Sequence, residues 1–560
     1  MEDARRRSTL LVAALFVVLT LVATYPIVRA PASYVYFDHP DAQLNMWIMA
    51  WDAHALRTRP LDLFNTNIFY PAPRTLAYSE TLLGYLPIFG PILWLHGSPV
   101  LAFNMVLLFS FAASGFSMYL LAEHLTGRIW PSIAAGIAYA FVPYRFVHIP
   151  QIQLEAMEWF PLAFLSLHLF VERRERKYAA AVAICVLIET LCCVYYGVFL
   201  AIALVAATGV LALVDARMRR VSTVATLAVA AILASIVALP LIGEYARVHD
   251  KAHLGRSLTE IADRSATAAT YLASAAPIHL AAGARRLQTP RDYLFPGLLA
   301  ILLAAAGTFA SRRRPIMMVY IVVGALGMAA SFGPNGFAGL PVYSALHGSI
   351  WFLRGLRQVS RFGVLTLFAI AVLVATGCSL IESTLPRRHA ALVMAALSAL
   401  LFLETFSAPL HADRPGGVAL IRAPSVPDEY TWLARQPGRF AVVEFPVAHS
   451  GELWRNASYV YWSTTHWHGL VNGYSGFASS EYASLRHLLT RFPDDLSHAA
   501  MTRHNVRYVV IHWDRYKRGD EEINVARLNR TTWLRRAAQF PNVEIFENVP
   551  DERQLTRADR

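Results

Sequence analysis

Between residues 9 and 406 the chain alternates apolar runs of about 20 residues with short arginine-rich breaks. A helix needs roughly 20 apolar residues to cross the bilayer core, so the pattern predicts a polytopic α-helical membrane protein. The breaks hold Arg5, Arg6 and Arg7, then Arg128, Arg173-Arg174-Glu175-Arg176-Lys177, Arg217-Met218-Arg219-Arg220, Arg312-Arg313-Arg314 and Arg387-Arg388. Short loops with such clusters stay cytoplasmic. With all of them inside, spans fall at 9–28, 100–121, 129–142, 156–171, two within 178–214, and at 221–241, 293–310, 316–332, 362–381 and 390–406. The segment 82–95 is shorter, contains Pro87 and Pro91, and would break parity if it crossed, so it reads as interfacial or re-entrant. The reading gives about eleven transmembrane helices, an uncleaved N-terminal anchor with its start in the cytoplasm, and a C-terminus outside.

After residue 410 the pattern changes. Strand-like runs occur at 439–445, 459–462, 508–513 and 543–546, with helical periodicity around 481–491 and 524–538. Residues 411–560 therefore read as one soluble α/β domain outside the membrane, and 1–410 as the membrane domain with a long first outer loop at 31–81.

In that loop, residues 34–56 read YVYFDHPDAQLNMWIMAWDAHAL. Leu44, Trp47, Ile48, Trp51 and Ala55 recur at helical spacing, which predicts an amphipathic helix against an apolar surface. Asp41 suits its N-cap. The plain reading is a capped helix with tryptophans at headgroup level. The sharper one is that Asp38 or Asp41, held at the membrane surface, is a catalytic base.

Composition narrows the class. The chain has 560 residues, 56% hydrophobic and 16% charged, too long and too apolar for one globular core. Its net charge of +12 sits largely in the loop clusters, which record topology rather than a nucleic-acid surface. Cys185, Cys192, Cys193 and Cys378 lie within apolar runs without metal-ligand spacing, and His466-Trp467-His468 lacks a third ligand nearby, so no metal site is predicted. Glu189 lies in a span, where an acid is a functional candidate by default.

Polar density marks three other places. Glu80 precedes the short apolar segment. The loop after Pro143 holds Arg145, His148, Gln151, Gln153, Glu155 and Glu158 between two spans, where such groups are costly unless they line a cavity or sit in water. Arg354, Arg357 and Arg361 lie outside, against the topology bias, at i, i+3 and i+7 of a helical pattern. Guanidinium groups there can fork onto phosphate oxygens or anchor the helix to lipid headgroups. Arg247, His249, Lys251, His253 and Arg256 add a weaker outer positive signal.

The order of several short motifs resembles the GT-C superfamily of membrane glycosyltransferases: DAQLNMW around Asp41, FNTNIFYPAPRTLAYSE, SPVLAFN…MYLLAEHLTGR, FVPYRFVHIPQIQLEAMEWFPLA, VYYG, GLRQVSRFG, and later LVNGYSGF and VRYVVIHW. The likeness covers residues 8–406 and is nearest to bacterial members with a C-terminal periplasmic domain. It implies an inverting transferase that moves a sugar from a polyprenyl-phosphate donor to a glycan, lipid or protein acceptor, at the outer face of the bacterial inner membrane. It implies Asp41 as general base, with Asp38 as the rival, Arg357 and Arg361 on the donor phosphate, and Glu80 or Glu155 positioning substrate. Cofactor need stays open between none and a divalent metal; membrane lipids are partners and nucleic acid is not. The rival reading is an envelope transporter or lipid-handling protein, although the spans carry no internal repeat.

Overall fold

The computed structural model describes residues 2–252, 256–283, 292–310, 312, 315–408, 419–478, 480–517, 520 and 523–549. His411 (the expected start of the C-terminal domain), His253, Arg313 and Arg314 lie outside the described residues.

The chain is an integral membrane protein. Among the described residues seven helices are long and apolar enough to cross a membrane: Arg6–Ala23, Pro99–Thr126, Ile152–Arg173, Val194–Val214, Val221–Val248, Val359–Thr384 and Arg387–Thr405. The other four expected spans are also helices, but short: Ile129–Ala140 with 12 residues, Arg176–Cys192 with 17, Leu298–Ala310 with 13 and Met318–Ser331 with 14. Each ends where the backbone is forced to turn. Pro143 follows the first, Cys193 is extended after the second, Gly297 at φ +110° precedes the third, and Gly333 at φ +59° follows the fourth. Such short helices are tolerated where protein covers their ends, and Ile129–Ala140 is buried from Pro131 to Ala140. Leu86–His96 has 11 residues with Pro91 inside, too short to span.

Gly363–Thr384 is the axis of the bundle. Its residues are buried almost continuously, and it packs on Leu298–Ala310, Met318–Ser331 and Ile129–Ala140. The crossing with Leu298–Ala310 is close because both helices offer glycine there. A Cβ on Gly307 would lie 2.0 Å from the Leu373 carbonyl oxygen, and one on Gly377 would lie 2.0 Å from that of Leu303. Without a hydrophobic drive between helices in lipid, this backbone proximity is what holds them.

The helix Pro40–Thr58 departs from the interfacial expectation. It is buried from Ala42 to Ala53, and Trp47 and Trp51 belong to the core rather than to a headgroup belt. Their indole N–H groups donate to Asn67 Oδ1 (3.3 Å) and the Leu63 carbonyl (2.8 Å). The N-cap is His39, not Asp41. Pro40 occupies the first helical position, where a missing N–H costs nothing, and the His39 ring accepts from the Asp41 N–H at 3.1 Å. The Asp41 carboxylate is thereby released from capping.

The C-terminal region holds a mixed sheet. The short strand β1 (Tyr34–Val35) pairs antiparallel with β2 (Ile421–Arg422), joining the loop 31–81 to the chain past the last span. Then come β3 (Ala441–Phe445), β4 (Gly469–Leu470), β5 (Val506–His512), β6 (Leu534–Phe540) and β7 (Val543–Asn548), in the order β4-β3-β5-β7-β6. Strands β4, β3 and β5 are parallel; β5, β7 and β6 are antiparallel. Two sequence expectations fail here. Residues 459–462 are not a strand but part of the helix Ala457–Trp462, whose aromatic residues pack on Pro40–Thr58 and on Phe37 (ring centroids 5.0 Å to Tyr461). Tertiary packing overrides the β-preference of Tyr-Val-Tyr-Trp. Within 524–538 only Val525–Leu528 is helical; turns follow, and β6 begins at Leu534. Arg535 and Arg536 pair across the hairpin with Glu547 and Glu544 of β7, which suits a strand.

The loop 31–81 also adds backbone bonds to the β4 edge. Leu470 N–H donates to the Asn67 carbonyl (2.6 Å), Tyr70 N–H to that of Leu470 (2.9 Å), and Phe69 N–H to that of Asn472 (3.2 Å). An exposed sheet edge is thereby covered. One hydrophobic core runs through both parts, from Trp47 and Phe69 to Val442 and Ile545.

Candidate functional site

A polar cavity of about 560 Å³ lies where these parts meet. Asp41 and Asn45 of Pro40–Thr58, Tyr78 to Glu80, Gln151, Gln153, Tyr195, Arg256, Arg357 and Arg361 form one wall. Leu453, Trp454 and the strap 474–478 from the C-terminal region close the opposite side.

Asp41 accepts two neutral donors: Gln151 Nε2 on one oxygen at 2.7 Å and the Tyr474 hydroxyl on the other at 2.5 Å. Both carboxylate oxygens keep a further lone pair. Across the cavity three arginines converge. Arg256 donates to the Gly476 carbonyl (2.9 Å), ion-pairs with Glu260 (3.3 Å) and lies 4.3 Å over the Phe477 ring. Arg361 lies 5.9 Å over Tyr195. Arg357 is exposed into the cavity. The Nε atoms of Arg256 and Arg361, Gln153 Oε1 and Ser475 Oγ are buried and have no hydrogen-bond partner among the described residues. Buried polar atoms are normally satisfied, so a wall with four unpaired groups calls for a polar ligand.

Glu80 sits at the N-terminus of Val194–Val214 and accepts the Val194 N–H at 2.9 Å. Burial raises its carboxyl from 4.5 to about 7, against the Val194 hydrogen bond and the Arg361 charge, which pull it down. A raised folded value favours the protonated form, so the stabilisation is complete below 4.5 and is lost as pH rises through about 7. Glu80→Gln, which mimics the protonated acid, should gain on wild type across that window and stay level above it. The relative gain reaches roughly 3 kcal/mol, read from thermal unfolding in detergent at pH 4.5 and pH 8. A pH-independent difference would contradict it.

Other predicted residues lie elsewhere. Asp38 is exposed and does not line the cavity. Arg145 and Glu155 form a fully buried pair (Nε to Oε2, 2.7 Å). His148 is buried beside Asp292 (3.6 Å), with Nδ1 2.9 Å from the Tyr144 carbonyl, and burial lowers its pKa. Arg354 is exposed and off the cavity. It does not share a helical face with Arg357 and Arg361, because Leu356, which is extended, and the non-helical Gln358 separate two short 3₁₀ turns, Trp351–Gly355 and Val359–Phe362. Of the predicted residues, Asp41, Glu80, Gln151, Arg357 and Arg361 come together. Tyr474 and Ser475 carry no sequence signal beyond the glycine-rich LVNGYSGF, and Arg256 stood only within a weak charge cluster. Glu189 is fully buried with both oxygens unpartnered among the described residues. No three His, Cys, Asp or Glu side chains among the described residues group as a metal site.

An apolar extension of the cavity reaches Val194, Tyr245 and Phe352. Ile242, one turn before Tyr245, lines an apolar groove of about 500 Å³ between Arg176–Cys192, Val194–Val214 and Val221–Ala252. Groove and cavity thus meet the same stretch of one helix.

In fold the chain is similar to the arabinofuranosyltransferase AftD from Mycobacteria, at TM-score 0.55 and 17% identity over 98% of this chain. A second AftD structure gives 0.56 and 16% over the same share. This chain spans 42% of the length of AftD. ArnT from Cupriavidus metallidurans bound to undecaprenyl phosphate aligns with 97% of this chain and 98% of its own, at TM-score 0.47 and 12% identity. No protein-family profile matches, and no curated protein matches in sequence.

Proposed function

On the GT-C membrane glycosyltransferase fold that this chain has, we propose an inverting transfer of a sugar from a polyprenyl-phosphate donor to a hydroxyl acceptor. The reaction takes place at the outer face of a bacterial inner membrane, with residues 411–560 as an extracytoplasmic domain. One observation carries the reading: a hydrogen-bonded carboxylate and three guanidinium groups share a cavity that adjoins an apolar groove.

The chemistry follows from charge. The donor phosphate gains negative charge as the bond from anomeric carbon to phosphate oxygen breaks, and fixed cations at that oxygen lower the barrier. Arg361 and Arg357, with Arg256 beside them, supply that charge in a partly desolvated wall. Asp41 takes the acceptor proton as the acceptor oxygen bonds to the anomeric carbon. A single displacement, with no covalent enzyme intermediate, inverts that carbon. The groove beside Ile242 receives the prenyl chain; lipid is as apolar as the groove, so the groove orients the chain by packing rather than adding a hydrophobic gain.

Arg361→Ala should weaken binding of a polyprenyl-phosphate sugar about 10- to 100-fold, the worth of one charge-assisted hydrogen bond. Direct binding of fluorescent or radiolabelled donors to purified protein measures this. Unchanged affinity would remove Arg361 from the phosphate site. A donor panel that binds without turnover would favour the lipid-handling reading.

A further inference from the structure

The strap that follows β4 is held on both sides of Tyr474. The Asn472 side chain bonds both the backbone N–H and the carbonyl of Glu444 (2.8 Å each). Its own carbonyl accepts from Phe69, and the Gly473 carbonyl accepts from Asn456 Nδ2 at 3.0 Å. A Cβ on Gly473 would meet the Phe69 ring at 2.4 Å, so only glycine lets the strap approach the first outer loop this closely. Past Tyr474, Arg256 binds the Gly476 carbonyl. None of these contacts uses the Tyr474 hydroxyl. That hydroxyl is delivered by an already anchored backbone to Asp41, 433 residues away in sequence, at 2.5 Å.

We propose that Tyr474 is a positioning residue for the base, so that the C-terminal region completes a catalytic site begun on Pro40–Thr58; this rests on reading Asp41 as the base. Gln151 and Tyr474 hold one carboxylate oxygen each and fix the plane of the group. The remaining lone pairs then point in a defined direction, where the acceptor hydroxyl must arrive. Alignment of this kind governs rate, and misplacement by about 1 Å costs on the order of 100-fold. Burial and the neighbouring Asp41 charge both raise the Tyr474 phenol, which keeps it a donor.

Tyr474→Phe keeps the ring and the strap and removes only the donor. It should lower kcat roughly 10- to 100-fold while donor affinity and KM stay within about twofold. In an Asp41→Asn background the same change should cost nothing further, because the group it positions no longer accepts a proton. Wild-type kcat in Tyr474→Phe, an equal loss in both backgrounds, or a loss confined to donor KM would overturn the proposal. Failure of the underlying reading looks different: wild type turns over no donor, or Asp41→Asn is fully active, and the proposal falls with it. The contact has its own readout. 3-Fluorotyrosine at position 474 should show a ¹⁹F resonance that moves on Asp41→Asn, and an unmoved resonance rules the hydrogen bond out.

Discussion

Asp41→Asn should bind donor as wild type does and turn it over about 10²–10⁴ times more slowly, the range for loss of a general base. The substitution is nearly isosteric. Tyr474 still has an acceptor in the amide oxygen. Gln151 also offers an N–H, so one contact rearranges, but the phosphate-side arginines are untouched. The measurement is single-turnover transfer with a competent polyprenyl-phosphate sugar, alongside equilibrium binding of the same donor. Asp38→Asn is the control. Asp38 is exposed and off the cavity, so its loss should leave the rate within about twofold. Equal losses in the two variants, or none in Asp41→Asn, would end the assignment of Asp41 as base.

The second large effect is on folding. Arg145→Met should destabilise the protein by about 3–5 kcal/mol, because it strands a buried charge. Arg145 is 0% exposed and fully engaged. It bonds Glu155 Oε2 (2.7 Å), Ser110 Oγ (2.8 Å) and the carbonyls of Glu155 (3.0 Å) and Ala140 (3.2 Å), and lies 4.0 Å over the Phe111 ring. Glu158 is close by, bonded to Ser110 and Tyr85. Removing the guanidinium leaves Glu155, whose Oε1 already lacks a partner among the described residues, in a dry environment. Arg145→Met with Glu155→Gln should recover part of the loss, since no charge is then left unpaired. Thermal or denaturant unfolding in detergent reads both. If Arg145 binds substrate instead, as its place in the polar loop after Pro143 predicts, the single variant keeps its stability and loses donor affinity.

The two expectations separate residues that sequence alone grouped together. Arg145, Glu155 and Gln151 stand within one polar loop and look equivalent along the chain. The short helix Pro143–His148 turns Arg145 into the bundle, while Gln151, in the bend beyond it, reaches the cavity. A run of polar residues at membrane depth announces that something must compensate them. It does not say whether the partner is another side chain or a ligand.

Local physics determined much of this protein. Apolar length and the arginine breaks were enough for the helical membrane body, because bilayer thickness acts on each segment separately. Three of the four strand-like runs, 439–445, 508–513 and 543–546, lie largely in β3, β5 and β7, since short β-rich segments bounded by turns carry their own signal. Asp41 was legible as a helix start, two positions past the true cap at His39. Only the tertiary structure decided what those elements face. It buried Trp47 and Trp51, which periodicity had put at a membrane surface, because the rest of the loop 31–81 and the helix Ala457–Trp462 cover them. It split the arginine triad at Leu356 and Gln358 and sent Arg354 away from the cavity. It brought Tyr474 onto Asp41 across 433 residues, a contact that depends on β4, the covered sheet edge and Gly473 together. Periodicity reports which face of an element is apolar; which distant element meets that face is settled by packing of the whole chain.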